Sequence, residues 1–124
     1  MRDTAGEREL IGRMQAGDVS AVTDLSTTYG ARIHQLAFRY MKNWEDAEEV
    51  TQDVLMKVFR KIDAFRGDAA LSSWIYRITF NTAMSRLRSH RAARAADVDR
   101  DRALAARLER PVLSRDIAVL NVIR

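Results

Sequence analysis

From Asn43 to Ile62 the apolar residues Ala47, Val50, Val54, Val58 and Ile62 recur at three- and four-residue intervals, set among mostly polar neighbours. That interval follows the turn of an α-helix and not the two-residue alternation of a half-buried strand, so the segment is a helix with one face to bury. The same period repeats on either side, which commits most of the chain to helices. Thr4 and Glu7 fit a capping box for a first helix to about Ala16, with Leu10, Ile11 and Met14 inward and Gly17 as its stop. Asp18 caps a second helix carrying Val19, Val22, Leu25 and Tyr29, closed by Gly30. A third, from Ala31 to Lys42, turns Ile33, Leu36, Ala37, Tyr40 and Met41 inward. Asn43 both ends it and caps the helix that follows, with Asp46 three residues on. Residues 64–70, with Gly67-Asp68 at their centre, form a turn. A long helix then runs from Leu71 to about Arg91, with Leu71, Ile75, Ile78, Thr82 and Leu87 on one side. Ile75 to Thr79 tolerates β-structure, but the helical period passes straight through it.

Composition supports an all-α fold, a compact helical bundle: there are five glycines and one proline in 124 residues, and 47% of the chain is hydrophobic, enough for one domain's core. No apolar run approaches the roughly 18 residues that a membrane span needs. The first seven residues lack the apolar stretch of a signal peptide, and the chain has no cysteine; both fit a cytoplasmic protein. Past Ala92 the character changes. Residues 97–110 mix Asp and Arg with little apolar content except Leu104 and Leu108, and Pro111 follows. This stretch reads as a charged linker, partly helical at best. Ser114 then caps a last apolar helix with Ile117, Leu120 and Ile123, which reads as the approach to a second domain. The division expected is a binding domain over residues 1–95, and a linker with the start of a further domain over 96–124.

Two charge blocks bear on function. Glu45, Asp46, Glu48, Glu49 and Asp53 fall within nine residues without a base among them. Acids in a first helical turn complement the macrodipole, but that effect fades within a turn and does not account for Glu49 or Asp53. Their face suits either water or a basic partner. From Ala69 to Ala96 the chain carries Arg77, Arg86, Arg88, Arg91 and Arg94 and no acid. Arg77, Asn81, Met84, Arg88 and Arg91 share one helical face, opposite Ile75 and Ile78. A single-sign stripe with an amide in it suits a polyanion, arginine for phosphates and asparagine for a base edge. Four or five such contacts would give a salt slope on the order of −3 to −4.5. Phe59, Phe65, Trp74, Tyr76 and Phe80 gather at the junction of the two blocks. Trp74 is assigned mainly to the core, whereas Phe65 at the loop entrance is the better candidate to meet an unstacked base.

Four segments in order, Asp46–Leu55, Phe59-Arg60-Lys61, Phe65-Arg66-Gly67-Asp68 and Trp74–Ala83, resemble region 2 of the extracytoplasmic-function (ECF) sigma factors of the sigma-70 family, over about residues 7–95. The resemblance implies a helical domain that binds RNA polymerase core and recognises and melts the −10 promoter element to direct transcription initiation. It implies docking on the clamp helices of the largest polymerase subunit through Glu49, Gln52 and Asp53, with Met56 and Phe59 as apolar neighbours. It implies a pocket for a flipped base of the non-template strand lined by Asp68, Ala69 and Ala70, with Lys61, Phe65, Ile78 and Asn81 around it. Arg77, Arg86, Arg88 and Arg91 would then contact phosphates. Primary sigma factors have two adjacent tryptophans where this chain has Ser73 and Trp74, so melting should depend more on a good promoter, as in the alternative group. Most relatives are held by an anti-sigma factor, so one is an expected partner. A complete member would carry a helix-turn-helix domain for the −35 element, and a truncated piece of a longer protein is the favoured reading of its absence.

Two other functions remain open on the residues alone: a sigma-like module that competes for polymerase without starting transcription, and a stand-alone basic helical repressor. An enzyme is not expected. His34 and His90 are isolated, and no phosphate loop, HExxH or nucleophile–histidine set is present. The Glu48/Glu49/Asp53 group lacks the glycine turns of an EF-hand, so neither metal nor cofactor is expected.

Overall fold

The computed structural model describes residues 4–108. Among these, four α-helices and one 3-10 turn (Ile62–Ala64) are present and no strand: α1 (Thr4–Gln15), α2 (Ala21–Met41), α3 (Trp44–Arg60) and α4 (Leu71–Leu108). They fall into two units that divide between Leu87 and Arg88.

The first unit contains the core. Leu10 and Met14 of α1, Leu25, Ile33 and Ala37 of α2, the Ala47/Val50/Val54/Val58 stripe of α3, Ile62, and Leu71 and Ile75 of α4 are all buried. Burying a side chain of the size of Leu25, Ile33 or Ile75 contributes about 1.5–3 kcal/mol, and this term outweighs local propensity where the two conflict. Polar atoms drawn into the core are satisfied locally. Thr51 and Thr79 donate their hydroxyls to the carbonyls of Ala47 (2.7 Å) and Ile75 (2.9 Å), four residues back.

Helix ends follow the sequence closely. Gly17 adopts φ 78°, the left-handed conformation that suits glycine. Its N–H donates to Met14 O (3.0 Å) and that of Asp18 to Arg13 O (2.9 Å), a Schellman closure of α1. Asp18 Oδ1 accepts from the Ser20 backbone N–H (3.0 Å) and so caps the turn that leads into α2. Asn43 caps α3, its Oδ1 accepting from Asp46 N–H at 2.9 Å. The stop of α2 is its neighbour Lys42, in the left-handed conformation at φ 55°.

Four expectations need correction. Gly30 does not end a helix: α2 runs unbroken from Ala21 to Met41, with Gly30 buried at its middle. An interior glycine costs about 1 kcal/mol relative to alanine, less than the apolar burial that a break at Gly30 would forfeit. Val19 is 73% exposed, because it sits in the turn between Asp18 and Ser20 and not on the buried face. Helix α3 stops at Arg60, short of the expected Ile62, which reaches the core from the 3-10 turn. The last described helix continues to Leu108, so residues 97–108 are helical and not a partly formed linker. Every residue from Arg91 to Leu108 is exposed. What holds that stretch helical is local: alanine, arginine and leucine propensity, with ion pairing such as Arg100 to Asp97 at 2.8 Å. The helix expected after Ser114, with Ile117, Leu120 and Ile123, lies outside the described residues.

Candidate nucleic-acid interface and docking face

The turn after the 3-10 segment is shaped by Gly67 at φ 78°, which reverses the chain between Phe65 and the start of α4. Between this loop and the first turns of α4 lies an open pocket of about 300 Å³. Phe65 and Trp74 form one wall, their rings 5.3 Å apart and tilted by 44°. Both are half-buried against the core and hold the wall rigid. Asp68 and Ala69 line this pocket, and Arg66, Ser73 and Arg77 line it too. Among the described residues, Arg66, Asp68 and Arg77 form no ion pair with one another, so the pocket offers a carboxylate and guanidinium groups beside an aromatic surface. Such a set stacks a planar heterocycle and hydrogen-bonds its edge.

The other residues of the expected set are placed differently. Ala70 is half-buried and turns inward at the head of α4, its carbonyl accepting from Ser73 and Trp74 N–H (3.1 and 3.3 Å). Lys61 is exposed at the end of α3, Ile78 packs partly against the core, and Asn81 is exposed on α4; none of the three lines the pocket. Arg77, expected on a phosphate, is on the pocket wall. Trp74, assigned mainly to the core, serves both the core and the pocket. Of the basic stripe, Arg77 and Asn81 are exposed in the first unit, Met84 is half-buried, and Arg88 and Arg91 are exposed in the second.

Arg86 lies apart from the other arginines. Nine residues from Arg77, it sits about 180° around the helix, on the side facing α3. Its Nη2 donates to Asp53 Oδ2 at 2.7 Å and its Nη1 to Glu49 Oε2. Its guanidinium is held by these two carboxylates on the α3 side, away from Arg77 and Asn81. One turn earlier on the same seam, Lys57 Nζ donates to Thr82 Oγ1 (3.1 Å). The acids that the helix dipole leaves unexplained therefore have a partner inside the molecule.

The outer face of α3 carries Glu49, Gln52, Asp53 and Met56, all exposed, with Phe59 half-buried beside them. At the head of the helix Trp44 is 67% exposed, its ring 4.1 Å from that of His34, with Phe38 next to them. His34 Nε2 lies 3.9 Å from Glu48 Oε2, too far for a hydrogen bond, and is otherwise unpartnered. The sequence reading did not single out this aromatic group; a tryptophan directly after a helix cap, among acids, was the available signal. Among the described residues no group of three or more His, Asp or Glu could hold a metal ion, and no helix is long and apolar enough to cross a membrane.

The described residues thus form a helical domain with an acidic face on α3 and an aromatic-walled pocket beside basic side chains at the head of α4, and its likeness to known proteins is specific. The family model for sigma-70 region 2 matches residues 25–93, more than half of the chain. The chain is 35% identical over 100 residues to the ECF RNA polymerase sigma-E factor of Escherichia coli, covering 80% of this chain and 52% of that protein. It is 36% identical over 81 residues to the RNA polymerase sigma-H factor of Pseudomonas aeruginosa, covering 65% and 42%. A solved structure of an engineered region 2 of sigmaE in complex with GTAAAA superimposes with a TM-score of 0.62 at 31% identity, covering 72% of this chain and 93% of that one. The chain belongs to the sigma-70 region 2 family, and within it resembles the ECF sigma factors. It spans about half the length of the curated relatives it matches.

Proposed function

We propose that this chain is the part of an ECF sigma factor that docks on RNA polymerase core and captures the melted −10 element of a promoter, so directing transcription initiation. The observation that carries this reading is the pocket between the 64–69 loop and α4, with its aromatic wall and unpaired charges, in a chain of this family. A duplex-binding repressor has no use for a side pocket sized for an extruded base. In this reading Phe65, Trp74, Asp68, Ala69 and Arg77 seat the base, while Asn81 reads a neighbouring base edge with Lys61 and Ile78 beside it. Arg88 and Arg91 take phosphates, and Arg86 leaves the phosphate set. Ala70 shapes the loop from within. Ser73, in place of a second tryptophan, supports a melting step that leans on promoter quality.

The second partner is the clamp-helix coiled coil of the largest polymerase subunit, met by Glu49, Gln52, Asp53, Met56 and Phe59. In this reading residues 1–95 act as the binding module, and 96–124 are a linker with the start of a further domain. An anti-sigma factor covering either face is the regulator this reading expects. Charge reversal at the docking face separates the alternatives: Glu49→Lys with Asp53→Lys abolishes core binding and leaves single-strand DNA binding in place. Core binding that survives the reversal contradicts the docking assignment, and a competitor function predicts no measurable DNA binding by the unaltered chain.

A further inference from the structure

Among the described residues, Arg86 is the one arginine of the 77–94 block that forms an ion pair, and it forms two. Its side chain is only 25% exposed, whereas Glu49 and Asp53 remain 59% and 49% exposed. The guanidinium is thus the fixed member, held on the α3–α4 seam, and the two carboxylates lie over it with their outer sides in solvent. It engages Oε2 of Glu49 and Oδ2 of Asp53, leaving Oε1 and Oδ1 without a hydrogen-bond partner among the described residues. Glu49 and Asp53 are four residues apart on one helical face, so a single planar fork can hold both at once in fixed directions; a lysine ammonium on its flexible stem can reach both but fixes neither orientation as well.

We propose that Arg86 is a positioning residue for polymerase docking: it fixes the rotamers of Glu49 and Asp53 so that their free oxygens present a ready-made pair to a basic partner. This rests on the docking reading above and adds to it a residue outside the contact face. It also ties the docking helix α3 to α4, which carries the pocket residues Trp74 and Arg77. The sign of the effect separates positioning from simple electrostatics. Removing Arg86 makes the face one unit more negative, which by Coulomb attraction alone tightens a basic partner, most of all at low salt. Loss of order in two carboxylate side chains works the other way and weakens docking by about tenfold.

The test titrates the labelled 124-residue chain with RNA polymerase core at low and high salt, using wild type, Arg86→Ala, Arg86→Lys, Glu49→Gln/Asp53→Asn, and that pair combined with Arg86→Ala. All are assayed below their thermal midpoints so that each is folded. The expected result is about tenfold weaker core binding for Arg86→Ala at both salts, at most partial recovery in Arg86→Lys, and no further effect of Arg86→Ala once the acids are neutral. Unchanged or tighter binding by Arg86→Ala, or full recovery by Arg86→Lys, overturns the proposal. If the acid-neutral pair binds core as well as wild type, the docking reading itself has failed; if that pair is weak and Arg86→Ala is not, only the role of Arg86 has.

Discussion

At the residue scale, the positions that decide local structure are those where two small terms compete. Gly30 is buried at the middle of α2, and a Cβ placed there meets only Ser26 Oγ, at 3.3 Å. Ser26 is exposed and its hydroxyl can turn away, so the helical gain of alanine over glycine prevails. Gly30→Ala is therefore expected to stabilise the domain by about 0.5 kcal/mol, part of the roughly 1 kcal/mol propensity difference, read as a raised urea midpoint at constant slope. Asp18 illustrates the opposite dependence, on pH. Hydrogen bonds from Ser20, and then from Arg13, hold its carboxyl below the ordinary value of 3.8. A carboxyl with a depressed folded pKa contributes stability above its unfolded pKa and loses it as pH falls through the folded value. Asp18→Asn should accordingly flatten the acid limb of a stability–pH curve below about pH 4 while leaving its slope near neutrality unchanged. An acid limb identical to wild type would mean that the Asp18 cap contributes nothing.

At the element scale, the helices were legible where period and punctuation agreed and illegible where they did not. The α3 stripe, the Asn43 cap, the Gly17 stop and the Gly67 turn all stand as read, because each is a local rule with no competitor. Gly30 misled because a buried helix tolerates a residue that ends an exposed one. The length of α4 was missed because its far part buries nothing, and amphipathic period, the main signal, is silent there. The pairing of Arg86 was not legible for a related reason: a run of like charges shows no direction, and only the helical angle sends Arg86 to α3 while Arg77 and Asn81 point away. That angle also sets a prediction for α4. Asn81→Ala is expected to relax preference among −10 sequences, whereas Arg88→Ala weakens all of them alike and lowers the salt slope by about 0.7. Equal behaviour of the two variants would remove the distinction between reader and phosphate clamp. With Arg77 in the pocket and Arg86 engaged by acids, Arg88 and Arg91 remain as phosphate contacts, and the slope expected on single strands shrinks to about −1.4.

At the scale of the whole molecule, the first unit is a core of three helices and the first turns of α4, presenting an acidic face on α3 and a pocket at the head of α4. The pocket could not be read fully from sequence, since Ser73, Trp74 and Arg77 join the loop only when α4 folds back against it, and no local pattern encodes that approach. In the proposed reading, the Phe65–Trp74 pair is what lets the pocket seat a base. The measurement that tests this account most directly is binding of the chain, together with RNA polymerase core, to a library of pre-melted promoter fragments randomised across the −10 element. The account predicts a defined base preference at one extruded position that disappears in Trp74→Ala, with core affinity retained. Binding without preference at any position, or a preference untouched by Trp74→Ala, would contradict it.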